Sequence, residues 1–491
     1  MSDADRTMGG GATAVSLAAV LPEVRFVGCD DIVATRCTAE VRRCRRGDVF
    51  VARLTAAGDG HEQVARAIAR GASAVVAERM VPTHGVPLAI VPDSAWALTR
   101  LTHACWGDPA GRLRLVAVTG TSGKTTTAWL TAAVLAEAGL RVGVLSDLGC
   151  LDAEATEPES AELGWPEVFA AWLHRLAETG CTHAVVEVSS RMLANQALAG
   201  VACGTVVVTN LAQANLDEHG TVRDHRAIKE RILASLPADG CLVFNADDPR
   251  VCRLAGRHTG PRVAVGLRKP ADVTAIAVER SLAGQTVLVT AGGHAAAATI
   301  DRPTTGFVRD ALCAAAVGLR FRVPLERVTR GLEAAPGVPG RLERIDRGQE
   351  AAVFVDHPTS GHALAATLAS LRRLTPGRLV LIAEERAAAA LGPAGRFVER
   401  AARWCDATLV VPAAVLDADA DGAAVAAYAR IDRALATASM GDCVLVLGRL
   451  PAGGGSPGDP GDPAVAGVLA TLVDGWLQLS HPPTWRGEQA A

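Results

Sequence analysis

Residues 115–130 read LVAVTGTSGKTTTAWL and combine three local patterns. The first residues are β-formers, a loop of small residues follows, and a helix-forming run comes next. Such a strand–loop–helix unit binds phosphate, because the loop N–H groups and the helix N-terminus point at the anion. The residues that we expect to contact nucleotide phosphates are Gly120, Thr121, Ser122, Gly123, Lys124, Thr125 and Thr126.

Two residues of this loop have side chains that suit phosphate or Mg²⁺. Lys124 supplies a point charge for the phosphates, and the Thr125 hydroxyl is a ligand for Mg²⁺. The general P-loop pattern has a further glycine where this chain has Val118. An ordinary Gly/Ser turn is therefore the alternative at this stage.

The composition is typical of an intracellular globular protein. A length of 491 residues allows about three domains. The net charge of -3 gives no electrostatic footprint for nucleic acid or an anionic membrane. Twelve cysteines are scattered without a C-x-x-C pair, which favours buried thiols over a zinc site or a disulfide framework. Because no signal peptide or membrane-length apolar segment is present, we expect a cytoplasmic monomer without membrane or nucleic-acid partners.

Lysine is rare in this chain. Of 49 basic residues only Lys124, Lys229 and Lys269 are lysines, so most positive positions carry arginine. The remaining lysines are candidates for roles that need an amine. Lysine carries a compact charge on an amine that can be chemically modified, whereas arginine carries a planar guanidinium that is always charged. Lys269, beside Pro270, is expected at the surface. Lys229 lies in the early turns of a helix predicted over 224–235. From the sequence, its side chain could lie at the surface or face the sheet.

Strands and helices alternate along the chain, which predicts an α/β fold in three parts. Residues 1–112 are expected to form a small α/β domain, and residues 113–335 a central P-loop domain with a parallel sheet and crossover helices. Residues 336–491 are expected to form a Rossmann-like C-terminal domain after a Pro/Gly hinge. Within it, residues 451–463 are predicted to be a flexible insert before a last helix over 465–478.

Polar residues follow several strands of the predicted central sheet. Ligands of open α/β sheets bind beyond the C-terminal ends of the strands. Glu187 comes directly after an apolar run and is placed to hold Mg²⁺ directly or through water. The other polar strand ends are Thr209, Asn210, Asn245, Asp247 and Asp248.

The order of these motifs resembles the Mur ligases, most closely the UDP-N-acetylmuramoyl-tripeptide synthetase branch. Residues 120–126 match the family's shortened P-loop, which accounts for Val118. Residues 47–52 and 59–61 look like its UDP-binding domain, and residues 340–344 look like the entry to its C-terminal domain. The remaining matching segments are 187–190, 209–211, 216–220 and 245–248.

The resemblance implies ATP-dependent amide formation. A substrate carboxylate attacks the γ-phosphate to give an acyl phosphate, and an amine then displaces phosphate. Lys124, Glu187 and Lys229 would be the catalytic residues, with Thr125, Glu187 and a carbamylated Lys229 at Mg²⁺. Asn245, Asp248 and Arg341 would help to bind ATP. The implied partners are a UDP-sugar-peptide-like substrate and an amino acid.

The chain departs from the family pattern at several positions. Asn215 replaces an imidazole expected near a second Mg²⁺, and Ala197 replaces an arginine that contacts the sugar nucleotide. Val308 and Ala311 replace two asparagines that contact adenine. Residues 356–362 and 384–388 lack the groups that would select a diamino acid, and two histidines there, His357 and His362, are expected to be solvated loop residues.

Two alternatives to an active ligase stay open from the sequence. The departures in the C-terminal part would suit a non-catalytic paralogue that binds nucleotide or a protein partner. The glycine loop alone would also suit a P-loop kinase or a generic ATPase.

Overall fold

The computed structural model describes residues 13–55, 58–152, 156–157, 164–211, 228–412 and 431–448, together with residues 473 and 477. Several sequence predictions lie outside the described residues. They are the turn with Asn215 and residues 216–220, the beginning of the helix predicted over 224–235, the insert at 451–463 and most of the helix predicted over 465–478.

The N-terminal region is a small sheet covered by helices. Its strands are β1 (Val15–Ser16), β2 (Arg25–Val27), β3 (Val33–Ala34), β4 (Cys37–Thr38), β5 (Val49–Val51), β6 (Leu54–Thr55), β7 (Gly58–Asp59), β8 (Ala74–Ala77) and β9 (Leu88–Ile90). Its helices are α1 (Leu17–Val20), α2 (Val64–Ala69) and α3 (Ser94–Cys105). The main sheet has the order β2-β9-β8-β5-β4. Leu98 and Leu101 of α3 are fully buried in the same apolar core as Val49 and Val76.

The central region is built on an eleven-stranded sheet of order β13-β12-β11-β14-β10-β15-β16-β17-β18-β19-β20. Its strands are β10 (Arg114–Thr119), β11 (Val142–Ser146), β12 (Gly149–Leu151), β13 (Thr156–Glu157), β14 (His183–Glu187), β15 (Thr205–Val208), β16 (Cys241–Asn245), β17 (Arg262–Gly266), β18 (Val273–Ser281), β19 (Gly284–Ala291) and β20 (His294–Ile300). Its helices are α4 (Lys124–Glu137), α5 (Pro166–Glu178), α6 (Ser190–Ala194), α7 (Pro249–Ala255), α8 (Thr305–Arg320) and α9 (Leu325–Glu333).

Strand β10 lies inside the parallel part of this sheet, between β14 and β15. Val118 is the register partner of Glu187, and Thr119 is the partner of Val208. The polar ends of β14 and β15 therefore flank the phosphate loop on both sides. This register is what brings Glu187 to the loop that follows β10.

The central sheet is parallel in its interior, as predicted, and antiparallel at both edges. Strands β12 and β13 pair antiparallel at one edge, and β18, β19 and β20 form antiparallel pairs at the other. No strand was predicted between 245 and 303. The hairpin of β19 and β20 turns at Gly292 and Gly293, which have φ of 55° and 82°. A Gly-Gly pair between two runs of β-forming residues is the available sequence signal.

Helix α4 is held on one face of the sheet by α8 and α9. Val134 of α4 approaches both helices closely, since a Cβ added to Gly331 would lie 2.7 Å from the Val134 Cα. Leu130, Val134, Leu312 and Val317 are buried in one core with the strands beneath them. This packing fixes the N-terminus of α4, where the phosphate loop ends.

The C-terminal region contains a five-stranded sheet of order β21-β22-β25-β23-β24, parallel except for β21. Its strands are β21 (Glu343–Ile345), β22 (Ala352–Asp356), β23 (Leu379–Glu384), β24 (Ala407–Val411) and β25 (Cys443–Leu447). Its helices are α10 (Gly361–Leu374), α11 (Glu385–Ala390) and α12 (Ala394–Ala401). The predicted α/β class is confirmed, whereas the domain limits stay predictions.

All twelve cysteines are free thiols, and most are buried. Among the described residues, no helix has both the length and the apolar character needed to cross a membrane.

Candidate active site

The phosphate loop joins β10 to α4 at the C-terminal edge of the parallel strands. Helix α4 begins at Lys124, and its N-cap, Gly123, has a φ of 80° and provides no side-chain cap. The N–H groups of the first turn, which belong to Lys124, Thr125 and Thr126, are therefore available to a ligand. Together with the helix dipole they make this position electrostatically suited to an anion.

Asn210 holds the first half of the loop in shape. Its carbonyl oxygen accepts the Thr121 N–H at 3.0 Å, and its Oδ1 accepts the Ser122 N–H at 3.0 Å. Its Nδ2 donates to the Ser122 carbonyl at 2.9 Å. The backbone N–H groups of Thr121 and Ser122, which we expected to contact phosphate, therefore donate to Asn210 instead. The N–H groups at the start of α4 remain as the main donors for a ligand.

Both loop glycines occupy positions that a side chain would disturb. Gly120 has a φ of 155°, and a Cβ there would clash with the Thr209 hydroxyl. A Cβ on Gly123 would clash with the Asp310 carboxyl. The small residues of this motif are therefore required by the neighbours of the loop as well as by its left-handed backbone.

Glu187 and Lys124 meet beside the loop. Lys124 Nζ lies 3.4 Å from Glu187 Oε1, and the Glu187 side chain is almost completely buried. Glu187 Oε2 accepts the Asp147 N–H at 3.1 Å, whereas Oε1 receives no hydrogen bond within the described part of the chain. Burial, and next the charge of Asp147, raise the pKa of Glu187, while Lys124 and Arg341 oppose that rise. A buried oxygen without a hydrogen bond fits a cation ligand.

Lys229 is buried near Lys124. It is 3% exposed, which excludes the surface position left open by the sequence. Burial and the charge of Lys124 lower the pKa of Lys229 to about 7. A substantial fraction of this amine is therefore neutral near neutral pH, in contrast to an exposed lysine.

Arg341 brings the C-terminal region to the phosphate loop. Its Nη2 donates to Thr125 Oγ1 at 3.1 Å, and its Nη1 donates to the His357 carbonyl. A second contact runs from the Thr359 hydroxyl to the Thr121 carbonyl at 3.3 Å. The loop is thus contacted directly by residues that lie more than 200 positions later in the chain.

Asn245 and Asp248 support the neighbouring strand ends. Asn245 is buried, and its Nδ2 donates to the Thr209 carbonyl at 2.9 Å. Asp248 caps α7 by accepting the Arg250 N–H, and it also accepts the Leu211 N–H at 2.9 Å. Both residues line the cavity next to the loop, so a role in nucleotide binding stays a prediction beside these structural contacts.

Asp310 is a site residue that the sequence reasoning missed. It lies on α8, is 8% exposed, and its carboxyl packs against Gly123. Burial raises the pKa of Asp310 to about 8, against the opposing charges of Arg309 and Arg341. An acidic residue within the apolar face of an amphipathic helix was the available sequence signal.

A cavity of about 930 Å³ extends from the phosphate loop between the central and C-terminal sheets. On the central side it is lined by Asn245, Asp247, Phe307 and Arg309. On the C-terminal side it is lined by His357, Thr359, Gly361, His362, Leu391 and Arg400. The two histidines were expected in a solvated loop; His362 is exposed but belongs to the first turn of α10, and both border the cavity.

Three residues of the central region that differ from the family pattern are packed into its apolar cores. Ala197, Val308 and Ala311 are each at most 2% exposed and belong to apolar cores. No polar contact to a ligand can come from these side chains.

Two family models match this chain. The Mur ligase middle domain matches residues 118–318, and the Mur ligase glutamate ligase domain matches residues 340–450. These ranges contain the phosphate loop, Glu187, Lys229 and Asp310 in the first model and Arg341 in the second.

Curated relatives cover most of the chain. It is 35% identical over 445 residues to a UDP-N-acetylmuramyl-tripeptide synthetase of Roseiflexus sp. (strain RS-1), across 82% of this chain and 87% of the relative. It is 31% identical over 372 residues to a UDP-N-acetylmuramoyl-L-alanyl-D-glutamate–2,6-diaminopimelate ligase of Bacillus licheniformis, across 73% of this chain and 74% of the relative.

Solved structures share the architecture. A UDP-N-acetylmuramoyl-L-alanyl-D-glutamate–2,6-diaminopimelate ligase aligns with a TM-score of 0.67 at 20% identity, across 94% of this chain and 99% of that one. The MurF ligase of Thermotoga maritima in complex with ADP aligns with a TM-score of 0.59 at 18% identity, across 91% and 98%. These likenesses show the fold, and together with the sequence relatives and both family models they show that this chain belongs to the Mur ligase family.

Proposed function

We propose that this chain joins the carboxylate of a UDP-muramoyl-peptide-like substrate to the amine of an amino acid through an acyl phosphate. As a Mur ligase it is an ATP-dependent enzyme that forms amide bonds. The observation that carries the proposal is the meeting of Lys124 with Glu187 beside the uncapped start of α4. Phosphoryl transfer requires a positive charge, an oxygen ligand for a metal and N–H donors at one place. Lys124, Glu187 and the start of α4 supply these three groups.

The phosphates of ATP would lie on the first turn of α4, with Lys124 against the transferred phosphate. Mg²⁺ fits beside them, because Glu187 Oε1 has no hydrogen bond and the Thr125 hydroxyl can supply a second oxygen. Bound there, Mg²⁺ would neutralise charge on the phosphates. Lys229 would complete the metal site as a carbamate, which its partly neutral amine favours.

The chemistry balances in two displacements. A substrate carboxylate oxygen attacks the γ-phosphorus, and ADP leaves, which gives an acyl phosphate. The amine nitrogen of the amino acid then attacks the acyl carbon, loses a proton, and expels inorganic phosphate. Arg341 and Lys124 would stabilise the transferred phosphate during both steps, because Arg341 already contacts Thr125 in the first turn of α4.

We also propose that the enzyme acts as a monomer in the cytoplasm. Its substrates ATP and a nucleotide sugar and its free thiols support a cytoplasmic location.

The test is a coupled assay of phosphate release with ATP, Mg²⁺, UDP-N-acetylmuramoyl-L-alanyl-D-glutamate and a panel of amino acids. We expect a product heavier than the acceptor by the amino acid minus water. Lys124→Met should remove turnover, whereas Lys269→Met, which changes an exposed lysine, should not. Nucleotide binding without any product would instead support the non-catalytic paralogue, for which no observation speaks at present.

Lys229 has its own test in the same preparation. Lys229→Arg keeps the positive charge but cannot form a carbamate, so turnover should fall at least about 100-fold. ¹³C-bicarbonate should give a carbamate signal with the wild-type protein and none with the variant. A fully active Lys229→Arg variant would rule out this role.

A further inference from the structure

The chain enters the C-terminal region through a tight turn, of which Arg341 is the last residue. The Arg341 N–H donates to the Val338 carbonyl at 3.0 Å, with Pro339 and Gly340 between them. Gly340 has a φ of 61°, and a proline followed by a left-handed glycine fits a type II turn. Because Pro339 has a fixed φ and Val338 is fully buried, the backbone before Arg341 has little freedom.

The C-terminal region holds this turn from one side. The Gly340 N–H donates to the Glu343 carboxylate at 2.9 Å, and the Gly340 carbonyl accepts the His357 N–H at 2.8 Å. Leu342 has a φ of 48°, a left-handed conformation that a leucine rarely adopts. Such a backbone persists only where the surrounding contacts impose it. Arg341 therefore lies between two left-handed residues, and its backbone direction is specified.

The central region holds the turn from the other side, through Arg302. This residue follows β20 and is 4% exposed. Its Nε donates to the Arg341 carbonyl at 3.4 Å, and its Nη1 donates to the Asp301 carbonyl at 3.2 Å and lies 2.6 Å from the Asp301 carboxylate. Because the guanidinium is buried, water does not replace these acceptors when they move away. Displacement of Arg341 therefore costs free energy.

Arg302 is itself held in place by its neighbours. Its carbonyl accepts Gln285 Nε2 at 2.7 Å, and the same Nε2 donates to the carbonyl of Thr304, the N-cap of α8. On the other side, a Cβ added to Gly337 would lie 2.6 Å from Arg302 Nη2. The chain before the turn can approach the guanidinium this closely only because residue 337 is a glycine.

We propose that Arg302 is a positioning residue for the reaction. It fastens the backbone of Arg341 to the central region, which also carries Thr125, and so keeps the Arg341 guanidinium at its 3.1 Å contact with Thr125 Oγ1. Arg302 is not one of the described residues that line the cavity, so it acts through Arg341. This role rests on the proposed function, in which Arg341 stabilises the transferred phosphate.

The experiment is a double-mutant cycle of Arg302→Met and Arg341→Met, with kcat given per folded enzyme. We expect Arg302→Met alone to lower kcat ~5- to 50-fold, because a small displacement of a catalytic charge impairs transfer. In the Arg341→Met background the same change should alter kcat less than about 2-fold. An equal loss in both backgrounds would show that Arg302 does not act through Arg341 and would overturn the inference.

Gly337→Ala tests the same contact without removal of the buried charge. The added Cβ meets only the far end of the Arg302 side chain, so the fold should be retained while the guanidinium moves. We expect kcat to fall in the wild-type background and to stay constant in the Arg341→Met background. This comparison also decides the inference if Arg302→Met does not fold. Wild-type kcat for Gly337→Ala together with wild-type kcat for Arg302→Met would contradict it.

Arg372→Met is the matched control. Arg372 lies in the last turn of α10, at the end opposite the cavity, and its guanidinium also donates to backbone carbonyls, those of Thr375 at 2.7 Å and Gly377 at 2.6 Å. Its loss should lower the free energy of unfolding in denaturant titrations but leave kcat per folded enzyme unchanged. If Arg372→Met lowers kcat as much as Arg302→Met does, the loss reflects a general loosening, and the inference is wrong.

Nucleotide binding separates this inference from the proposed function. Isothermal titration with Mg²⁺ and a non-hydrolysable ATP analogue should give a higher Kd for Arg302→Met and for Arg341→Met, and the double variant should bind no more weakly than Arg341→Met. This pattern without any amide product from the wild-type enzyme would count against the proposed function alone. Unchanged binding and unchanged turnover in Arg302→Met would overturn the inference while the proposed function remains.

Discussion

Arg341 Nη2 donates a 3.1 Å hydrogen bond to Thr125 Oγ1, which joins the C-terminal region to the first turn of α4. The same guanidinium lowers the pKa values of three buried carboxyl groups, those of Glu187, Asp310 and Asp356, which burial raises. Arg341 is thus the positive charge that all three carboxyl groups share, beside Lys124 at Glu187 and Arg309 at Asp310. Its position couples approach of the C-terminal region to the electrostatics of the loop.

Replacement of Arg341 should impair the transfer step. We expect Arg341→Met to lower kcat/KM for ATP ~10- to 1000-fold, because a charge aimed at the phosphates is lost. Steady-state phosphate release measures this. Arg344→Met, which changes an exposed arginine three residues later, is the matched control and should change the rate little. Equal rates for the two variants would show that Arg341 contributes no charge to catalysis.

Glu187→Gln should separate stability from activity. The carboxylate is buried with one oxygen lacking a hydrogen bond, so its removal should raise the free energy of unfolding of the ligand-free protein by about 1 kcal/mol. Activity should fall at least about 100-fold, and the Mg²⁺ concentration for half-maximal rate should rise. Denaturant titration and metal-dependent assays test both halves. A destabilised variant with normal Mg²⁺ dependence would contradict the metal role.

The buried carboxyl group of Asp310 should make the protein less stable as the pH rises. Its native pKa of about 8 lies above the ordinary aspartate value, so the native state retains a proton that the unfolded state releases. The free energy of unfolding therefore falls as pH rises from about 4 through 8, by at most on the order of 5 kcal/mol. Asp310→Asn should flatten this fall in denaturant titrations at pH 5 and 9. An unchanged pH dependence would show that the carboxyl ionises freely.

Asp310 should also affect nucleotide binding. Its carboxyl packs against Gly123, so its ionisation places a negative charge beside the phosphates. We expect the wild-type Kd for ATP to rise above about pH 8, and the Kd of Asp310→Asn to stay constant over the same interval. Isothermal titration at pH 7 and 9 distinguishes these outcomes.

His103 predicts a loss of stability in acid. It is buried on α3, neither ring nitrogen has a hydrogen-bond partner within the described residues, and its ring centroid lies 5.8 Å from that of Phe169 on α5. Burial lowers the pKa of His103 to about 4. As the pH falls, His103 is therefore protonated in the unfolded state before it is protonated in the native state. The free energy of unfolding should fall by on the order of 3 kcal/mol between about pH 6.5 and pH 4.

The matching variant is His103→Phe, which keeps the aromatic contact and removes the titrating group. Thermal unfolding at pH 7 and 5 should show a smaller difference in Tm for the variant than for the wild type. If both lose the same stability, other groups cause the acid sensitivity.

The sequence predicted most of the residues that the structure brings together around the glycine loop, because their signals are local. Gly120, Gly123, Lys124 and Thr125 lie within six residues, and the backbone they require is set by neighbouring residues. Glu187 could be added because parallel strands end at one edge of a sheet. The antiparallel strands after residue 266 were missed although Gly292-Gly293 marks the turn of one hairpin, because a glycine pair alone does not show which strands pair beside it.

The environments of Asp310 and His103 could not be predicted from the sequence. The apolar face of α8 marks Asp310 as unusual, but an acid within a helix and a histidine are ordinary residues until their neighbours are known. Burial raises the pKa of Asp310 only because α8 carries it into the core.

The sequence by itself determined the α/β class, the phosphate loop and the family of this protein, since these depend on short-range patterns and on motif order. Only the tertiary structure decided which groups are buried together. Lys124, Glu187 and Lys229 lie far apart in the chain, and their charges influence one another only because the sheet brings them together away from water.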